Sequence, residues 1–430
     1  MNVAGSSTSY PTAVRSSLGA VARFVKFDPS GRYVAAGRWD GTTSIWDVET
    51  GSCVRILDGH VKEITSADWS RNSRYVLTSS KDWNVVVWDL TSEIDPPQRH
   101  TTIRFDSAVM SASFHPRNSL IILALTRMGE VYLVDLRHGR RSRDELCDDD
   151  ESRNCGKQIS LSAARFDLSG KHIFVGTSVG SILVFNTRTK MLIARYKIPA
   201  AGIIRGFDFT RGGRRMVTNS SDRILRQFDL PAYPNSGPDG AVVDQELEPT
   251  HKFSDPINKS SWHAMSYSPD GNWLAGGSTD PAGHKIYVWD IGNGGQFASA
   301  LDGGPDSLAS LQWHPTKSCW ASTSRDGFIF IWHHPKEARW GAFAAGFEEL
   351  SHNVEYQERE DEFDDVNEAE ILRRKLEAEE KDIDIDAIEP SPWKDKMLSS
   401  PNDVDAIWAD EEPDDDEPRS RWSIKRVGVV

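Results

Sequence analysis

The chain has few cysteines and no long apolar run, and each shortage narrows the class of protein. Only four of its 430 residues are cysteines, at positions 53, 147, 155 and 319, with no CxxC pair and no histidine spacing suited to zinc. A reducing, intracellular compartment is the simpler interpretation. No segment approaches the roughly twenty apolar residues of a membrane span, and the polar start MNVAGSSTSY lacks the pattern of a signal peptide. We therefore expect a soluble protein of the cytosol or nucleus, without membrane contact.

Catalytic motifs are also missing. The sequence contains no GxSxG, HExxH or Walker-type phosphate loop. His333 and His334 are adjacent, but neighbouring residues of a strand point to opposite faces, so one metal ion is not expected to reach both. The two His-Pro pairs, at 115 and 314, occupy the same turn of a sequence repeat and are better explained as turn residues than as paired bases. We predict no catalytic residue, no metal site and no cofactor.

Acidic charge is concentrated near the C-terminus. The net charge is −14, yet residues 348–418 alone hold 28 acidic and 7 basic side chains. Residues 1–347 carry 39 basic and 36 acidic groups, so this part is close to neutral, and the last twelve residues contribute four positive charges. This asymmetry predicts two parts with different roles, a near-neutral body and an acidic tail.

The body is built from a unit of about forty residues that recurs seven times. In the clearest copy, Pro29-Ser30-Gly31 and Asp40-Gly41 mark turns between short segments in which apolar residues alternate, as in half-buried strands. Each copy ends on a bulky apolar anchor residue, at positions 46, 88, 134, 185, 228, 289 and 332. Short strands at this regular spacing predict an all-β repeat architecture.

The array resembles WD40 repeats, in which a unit of about 40 to 45 residues forms one four-stranded blade of a β-propeller. The expected fold class is therefore all-β, with a seven-bladed WD40 propeller over residues 21–334. Residues 1–20 are expected to close the last blade through the segment from 12 to 20. Bulky residues such as Trp46, Trp88 and Phe228 should pack between blades.

Two spacings between anchor residues are longer than the others. Residues 137–158 separate the third and fourth copies, and residues 231–262 separate the fifth and sixth. Both segments are rich in polar residues, so we predict surface loops there.

The second copy carries the Gly-His turn of the WD40 family, Gly59-His60. Asp82 and Trp88 occupy the positions of the Asp and Trp in the family's hydrogen-bonded tetrad, and Ser79 or Ser80 would supply the hydroxyl. Because a buried polar network requires every member to be satisfied, we assign His60 a structural role rather than that of a catalytic base.

The fifth copy is rich in arginine. Ordinary solvated turns are one explanation, and a nucleic-acid contact is the sharper alternative, because arginines on one rim can neutralise phosphates without reading bases. The candidates for a DNA contact are Arg211, Arg214, Arg215, Arg223 and Arg226.

Beyond Trp332 the repeat pattern stops and the acidic tail begins. Its first part, residues 339–365, places aromatic side chains among acidic ones, and no later segment is apolar enough to cover them. Residues 366–381 predict a short helix in an otherwise extended tail, and residues 382–388 alternate acidic and apolar side chains, a pattern suited to a groove or sheet edge of a partner.

A WD40 ring followed by RWGAFAAGFEEL, NVEYQEREDEFD and DIDIDAI resembles the retinoblastoma-binding-protein-five family. Members are core, non-catalytic subunits of COMPASS or mixed-lineage-leukaemia type histone methyltransferase complexes. The similarity covers the ring and the tail to about residue 388. It implies a partner-binding tail over residues 335–388. Residues 389–430 are rich in Pro, Asp and Glu and then become basic, a composition from which we expect a disordered segment.

The resemblance implies three binding segments in the tail. The segment that lies against the SET-domain methyltransferase subunit and holds it in its active form contains Ala342, Phe343, Phe347, Glu349, Leu350 and Asn353. The segment that binds the SPRY domain of the Ash-two type subunit contains Glu355, Tyr356, Glu358, Arg359, Glu360, Glu362, Phe363 and Asp364. The segment that docks on a second WD40 subunit contains Asp382, Ile383, Asp384 and Ile385.

The expected function is therefore that of a nuclear chromatin scaffold, whose complex methylates lysine 4 of histone H3. The nucleosome is an expected partner, since propellers of this family contact nucleosomal DNA, which favours the arginine-rich rim. The alternative is a WD40 adaptor of another complex, such as a ubiquitin-ligase substrate receptor or an RNA-processing platform. An enzyme would need a reactive group of residues that the sequence does not offer.

Overall fold

The computed structural model describes residues 10–92, 97, 99–137, 142–148, 160–231, 242–255, 261–281, 283–334 and 373. Over this part of the chain, 29 strands form seven separate sheets, and pairing between consecutive strands within each sheet is antiparallel. The predicted seven-bladed β-propeller is confirmed.

The strands are numbered in chain order. Within each blade the first of its consecutive strands is the innermost, and the following strands lie farther out. Blades 1 to 3 follow the closing strand β1 (Ala13–Gly19) and comprise β2 (Ala22–Phe27), β3 (Tyr33–Arg38), β4 (Thr42–Asp47), β5 (Ser52–Asp58), β6 (Ile64–Trp69), β7 (Tyr75–Ser80), β8 (Asn84–Asp89), β9 (Arg99–Arg104), β10 (Val109–Phe114), β11 (Ile121–Thr126), β12 (Val131–Asp135) and β13 (Ser142–Leu146). Blades 4 and 5 comprise β14 (Leu161–Phe166), β15 (His172–Thr177), β16 (Ser181–Asn186), β17 (Leu192–Lys197), β18 (Ile204–Phe209), β19 (Arg215–Ser220), β20 (Leu225–Asp229), β21 (Val243–Glu246) and β22 (His251–Phe253). Blades 6 and 7 comprise β23 (Trp262–Tyr267), β24 (Trp273–Ser278), β25 (Lys285–Asp290), β26 (Gln296–Asp302), β27 (Leu308–Trp313), β28 (Cys319–Ser324) and β29 (Phe328–His333).

The ring is closed by the two ends of the described chain. Strand β1 pairs antiparallel with β29, from Ala13 opposite His333 to Gly19 opposite Phe328, and so supplies the outer strand of blade 7. Each inner strand contacts the inner strands of both neighbouring blades around the whole circle. We call the end of the ring at which the inner strands begin the upper face, and the end at which they finish the lower face.

Apolar side chains fill the spaces between blades. Seven buried clusters are present in the described residues, and each joins two adjacent blades. Trp88 lies between blades 1 and 2, Phe228 between blades 4 and 5, and Trp46 packs against the cluster that joins blades 7 and 1. The prediction that these anchors pack between blades is confirmed, and burial of such large side chains is the main term that holds a propeller together.

Polar side chains of the inner strands link neighbouring blades. The backbone N–H of Phe114 donates to Asp68 at 2.9 Å, and that of Tyr267 donates to Asp208 at 2.8 Å. Ser266 accepts an equivalent bond from the backbone N–H of Trp313 in blade 7 at 3.0 Å, and Gln312 accepts one from the backbone N–H of Phe27 in blade 1 at 2.7 Å. Each acceptor is the fifth residue of its inner strand, so the repeat places one bond at the same height at these four junctions between blades.

The two insertions are not loops throughout, contrary to the prediction. Residues 142–146 form β13, the outer strand of blade 3, and residues 243–246 form β21, which adds a fifth, parallel strand to the outer edge of blade 4. Arg195 of β17 joins both insertions, with Asp148 at 2.5 Å and Asp244 at 3.6 Å. An open sheet edge offers backbone donors and acceptors to any extended segment, so polar sequence without apolar alternation can still form these strands.

Candidate interaction surfaces

The three predicted binding segments of the tail lie outside the described residues, as do residues 335–430 except Arg373. Arg373 is helical and exposed, and the rest of the predicted helix over 366–381 also lies outside the described part. The segments for the SET-domain, SPRY and second WD40 subunits therefore stay predictions.

The arginines of blade 5 are divided between opposite faces. Arg211 and Arg214 lie in the turn between β18 and β19 on the lower face, and Arg215 begins β19 beside them. Arg223 lies in the turn between β19 and β20 on the upper face, where its φ is +71°. These four side chains belong to exposed residues, but the structure does not bring them together on one rim.

Arg226 is a correction to the predicted DNA contact. Its side chain is only 3% exposed, and its guanidinium lies 2.5 Å from Asp222 and donates to Ser220 Oγ at 2.8 Å. A buried guanidinium that already has a carboxylate partner is not accessible to a phosphate. The side chain of Arg226 lies on a buried face of β20, and only the pairing of β20 with β19 shows this.

Acidic side chains limit what the lower-face arginines can bind. A groove of about 580 Å³ lies between blades 4 and 5, and Asp167 and Asp229 line it together with Arg214 and Arg215. Arg215 Nε is 3.5 Å from Asp229 Oδ1, so its charge is partly compensated. Arg211, Arg214 and Arg223 form no ion pair within the part of the chain that the structure describes and are the better candidates for phosphate contacts.

His60 takes part in the predicted tetrad, but the hydroxyl comes from a different residue. Thr78 Oγ1 lies 2.9 Å from His60 Nε2 and accepts a bond from Trp88 Nε1 at 2.8 Å, while His60 Nδ1 lies 2.9 Å from Asp82. The prediction of Ser79 or Ser80 was wrong. Thr78 pairs with Val86 across the strands, two residues before Trp88, and this register turns its hydroxyl toward the indole.

The ionisation of the tetrad fits a structural role. Burial lowers the pKa of His60, although Asp82 acts in the opposite direction, so the imidazole is neutral near pH 7. Burial by itself would raise the pKa of Asp82, but its interactions with His60 and with backbone amides hold that pKa below the usual range. Neutral His60 then donates from Nδ1 to the carboxylate and accepts from Thr78, which uses every polar group.

A second histidine, which sequence reasoning missed, makes a similar contact in blade 7. Residues 301–304 of blade 6 correspond to Leu57-Asp58-Gly59-His60, and Gly304 stands at the histidine position. His284, from the hairpin between β24 and β25, places its Nε2 2.7 Å from Ser322 Oγ, which accepts from Trp332 Nε1 at 2.9 Å. An imidazole from the neighbouring blade thus replaces the missing one, and burial lowers the pKa of His284 to about 4.

The two His-Pro turns are also structural, as predicted. His115 Nε2 lies 3.0 Å from the carbonyl of Gly170 in blade 4, and His314 Nε2 lies 3.0 Å from the carbonyl of Gly31 in blade 1. The Nδ1 atom of each ring accepts from backbone amides of its own turn. Each imidazole therefore connects one blade to the next on the lower face.

Within the described ranges, no group of three or more His, Cys, Asp and Glu side chains could hold a metal ion. No helix in those ranges is long and apolar enough to cross a membrane. Cys53 and Cys319 have free thiols, and burial raises the pKa of Cys319 to about 11, which makes it a poor nucleophile.

The fold and its repeats define a WD40 propeller protein. The family profile "WD domain, G-beta repeat" matches residues 15–47, 51–89, 248–290 and 295–333, which correspond to blades 1, 2, 6 and 7. In blades 3, 4 and 5 the anchor position holds Val134, Phe185 and Phe228, respectively, instead of a tryptophan.

Similar proteins narrow the family. The Drosophila melanogaster "Retinoblastoma-binding protein 5 homolog" is 33% identical over 393 residues, covering 89% of this chain and 76% of that protein. The Schizosaccharomyces pombe "Set1 complex component swd1" is 32% identical over 364 residues, covering 83% of this chain and 87% of that protein. The solved β-propeller domain of Myceliophteria thermophila Cps50 (Swd1) superposes with a TM-score of 0.68 at 32% identity, covering 75% of this chain and 99% of that chain. This chain belongs to the family of retinoblastoma-binding protein 5 homologues and Swd1 components.

Proposed function

We propose that this chain is a non-catalytic scaffold subunit of a Set1/COMPASS type histone methyltransferase complex in the nucleus. The observation that carries the proposal is how far the similarity to a named Set1 complex component extends. It covers 83% of this chain, whereas residues 1–334 amount to about 78% of it. The similarity therefore continues past the ring into the tail, which holds the predicted binding segments.

In this proposal the ring anchors the tail, and the tail orders its partners. Residues 342–353 bind the SET-domain subunit and favour its active arrangement, so that the complex methylates lysine 4 of histone H3. A scaffold of this kind raises turnover by preorganising a flexible catalytic domain rather than by supplying a reactive group. Residues 354–365 bind the SPRY domain of an Ash-two type subunit, and residues 382–385 bind a second WD40 subunit.

The first experiment tests the SET-activating segment with point variants of the full chain. Phe343→Ala and Phe347→Ala together should lower methylation by the reconstituted complex at least tenfold, because in this proposal the two aromatic side chains are the main apolar anchors of the segment. Trp393→Ala is the matched control, an aromatic removal outside the three segments, and should leave methylation unchanged. Equal activity of the two variants would contradict the proposal.

The second experiment separates the scaffold from a different WD40 adaptor. Tyr356→Ala with Phe363→Ala should abolish binding to the purified SPRY subunit, and Ile383→Asp with Ile385→Asp should abolish binding to the second WD40 subunit while SPRY binding persists. Because five acidic residues are expected in the SPRY contact, affinity should fall with rising salt. A tail peptide that binds neither subunit would instead favour a ubiquitin-ligase or RNA-processing adaptor. Methyl transfer by the isolated chain would overturn the non-catalytic assignment.

The proposed nucleosome contact uses the exposed arginines of blade 5. Arg223 and the pair Arg211 and Arg214 lie on opposite faces, so the two sites are tested separately. Removing a true phosphate contact should weaken nucleosome binding. It should also reduce the slope of the logarithm of the binding constant against the logarithm of the salt concentration by about one per arginine. Arg71→Ala, on the lower face of blade 2, serves as the control, and unchanged slopes in both sets of variants would remove DNA from the proposal.

A further inference from the structure

The upper opening of the ring is surrounded by seven equivalent β-bulges. In every inner strand the register with the next strand shifts between the first and third residues, so the second residue is the extra one. The hydroxyls of two of these bulge residues, Thr65 and Ser162, bond the first carbonyl of the next inner strand at 2.8 and 2.5 Å, which places them on the inner rim. In blade order the bulge residues are Arg23, Thr65, Met110, Ser162, Arg205, His263 and Ala309.

The rim formed by these bulges is electropositive. None of its seven residues is acidic, and Arg23 and Arg205 both act with burial, the larger effect, to lower the pKa of His263. Lys81 and Arg127, from the upper turns of blades 2 and 3, extend the positive charge. Burial lowers the pKa of Lys81 most, and the nearby charges of Arg23 and Arg127 lower it further.

Among the described residues, one carboxylate makes direct contact with these cations. Glu63 contacts both Arg23 and Lys81, and its side chain is only 10% exposed. Arg127 and Arg205 are exposed and have no ion pair among the residues that the structure describes. The rim therefore keeps positive charge for an incoming anion.

Large apolar side chains stand beside these cations. Trp39 and Trp83, in the upper turns of blades 1 and 2, are 51% and 42% exposed, and Met128 in the corresponding turn of blade 3 is 71% exposed. The guanidinium carbon of Arg23 lies 4.7 Å from the centre of the Trp39 ring. Exposed apolar residues that lie next to cationic side chains are typical of a binding surface rather than of a solvated one.

We propose that this upper rim binds an acidic peptide segment of a partner protein, with carboxylates on Arg127, Arg205 and Lys81 and apolar side chains on Trp39, Trp83 and Met128. The apolar part favours a peptide over a nucleic acid, because Met128 offers no flat surface for a base and no charge for a phosphate. The chain's own acidic tail starts from the other face, since β29 runs from the upper face to the lower and ends there at His333. A segment of a partner is the occupant we assign, and occupation by the chain's own tail is the alternative that the truncation below tests.

The test uses the full chain and a fluorescein-labelled twelve-residue peptide of Asp and Glu with two phenylalanines, followed by fluorescence anisotropy. Arg127→Glu with Arg205→Glu should weaken binding at least tenfold, and both positions are exposed, so the ring should stay folded. Arg211→Glu with Arg214→Glu makes the same change in charge on the lower face and should alter affinity less than twofold. Equal weakening by both pairs would mean that only net charge matters and would overturn the proposal.

Three further arms identify the occupant. Replacing the phenylalanines of the probe by alanine should weaken binding to the native chain at least fivefold. Binding to a variant that carries Trp39→Ala, Trp83→Ala and Met128→Ala should weaken by less than twofold, and the same loss in both would overturn the apolar contact. A single-stranded RNA dodecamer that binds as tightly as the peptide, and loses affinity in the upper-rim variant, would assign the rim to nucleic acid instead. The solved relative shows that a propeller of this family folds as a separate domain. A chain ended after residue 334 that binds the probe tenfold more tightly than the full chain would make the tail the occupant and overturn the assignment to a partner.

Discussion

Thr78→Val removes one hydroxyl from the centre of the blade 2 network and leaves the side chain's shape nearly unchanged. Trp88 Nε1–H would lose its acceptor, and His60 Nε2 would lose its donor, with both residues buried. A buried polar group without a partner costs about 1–3 kcal/mol, so the two together predict a loss of about 2–6 kcal/mol in the free energy of unfolding. The tetrad is thus expected to be a large single contribution to the stability of this blade.

Blade 5 supplies a matched control for this substitution. Thr218 occupies the same strand position as Thr78, two residues from the anchor Phe228 in the register, and both threonines are 1% exposed. Its hydroxyl has no partner among the described residues, because phenylalanine offers no N–H. Thr218→Val should therefore change the free energy of unfolding by less than about 1 kcal/mol or raise it.

Urea unfolding followed by tryptophan fluorescence and by circular dichroism measures both variants. The transition of Thr78→Val should move to lower urea, while that of Thr218→Val stays near the native position, provided that the slopes agree. Equal losses in the two variants would refute the reasoning, since the cost would then come from valine in the strand rather than from the broken network.

Three other predictions follow from contacts between blades. Gly31→Ala should lower the free energy of unfolding by about 2 kcal/mol or more, because its φ is +79° and a Cβ there would lie 2.1 Å from the His314 ring. Gly294 has a similar φ of +70° but lies in open space, so Gly294→Ala should lower it clearly less in the same assay. The pKa of His284 is about 4 in the folded protein and roughly 6.5 in the unfolded chain, so folding favours the neutral imidazole. The stability that this group contributes should be complete above pH 6.5 and fall toward pH 4, and His284→Gln should make that fall shallower in thermal melts. Asp208→Ala should lower the melting temperature more than Asp270→Ala does, because it removes the acceptor of the Tyr267 amide and the partner of Arg165 at 2.8 Å.

The number of blades, their order and their anchor residues could be predicted from the sequence. Turn residues and apolar alternation act over a few neighbouring positions, so the pattern in each repeat is enough to specify its three inner strands. The structural role of His60 and of the two His-Pro turns also followed from their repeat positions. The outer strands were harder, because β13 and β21 carry mostly polar residues and form only where a neighbouring sheet edge is open to them.

Tertiary structure alone decided which side chains meet. The register of β7 against β8 selects Thr78 over Ser79 and Ser80 for the tetrad, and the register of β19 against β20 buries Arg226 while Arg223 stays exposed. Packing of blade 6 against blade 7 brings His284 to Ser322, and closure of the ring places the bulge residues Arg23 and Arg205 around one opening. These contacts join residues tens to hundreds of positions apart, and a repeat pattern holds no information about which face each side chain shares with another blade. The sequence by itself determined the ring; the register between strands and the closure of the ring determined its surfaces.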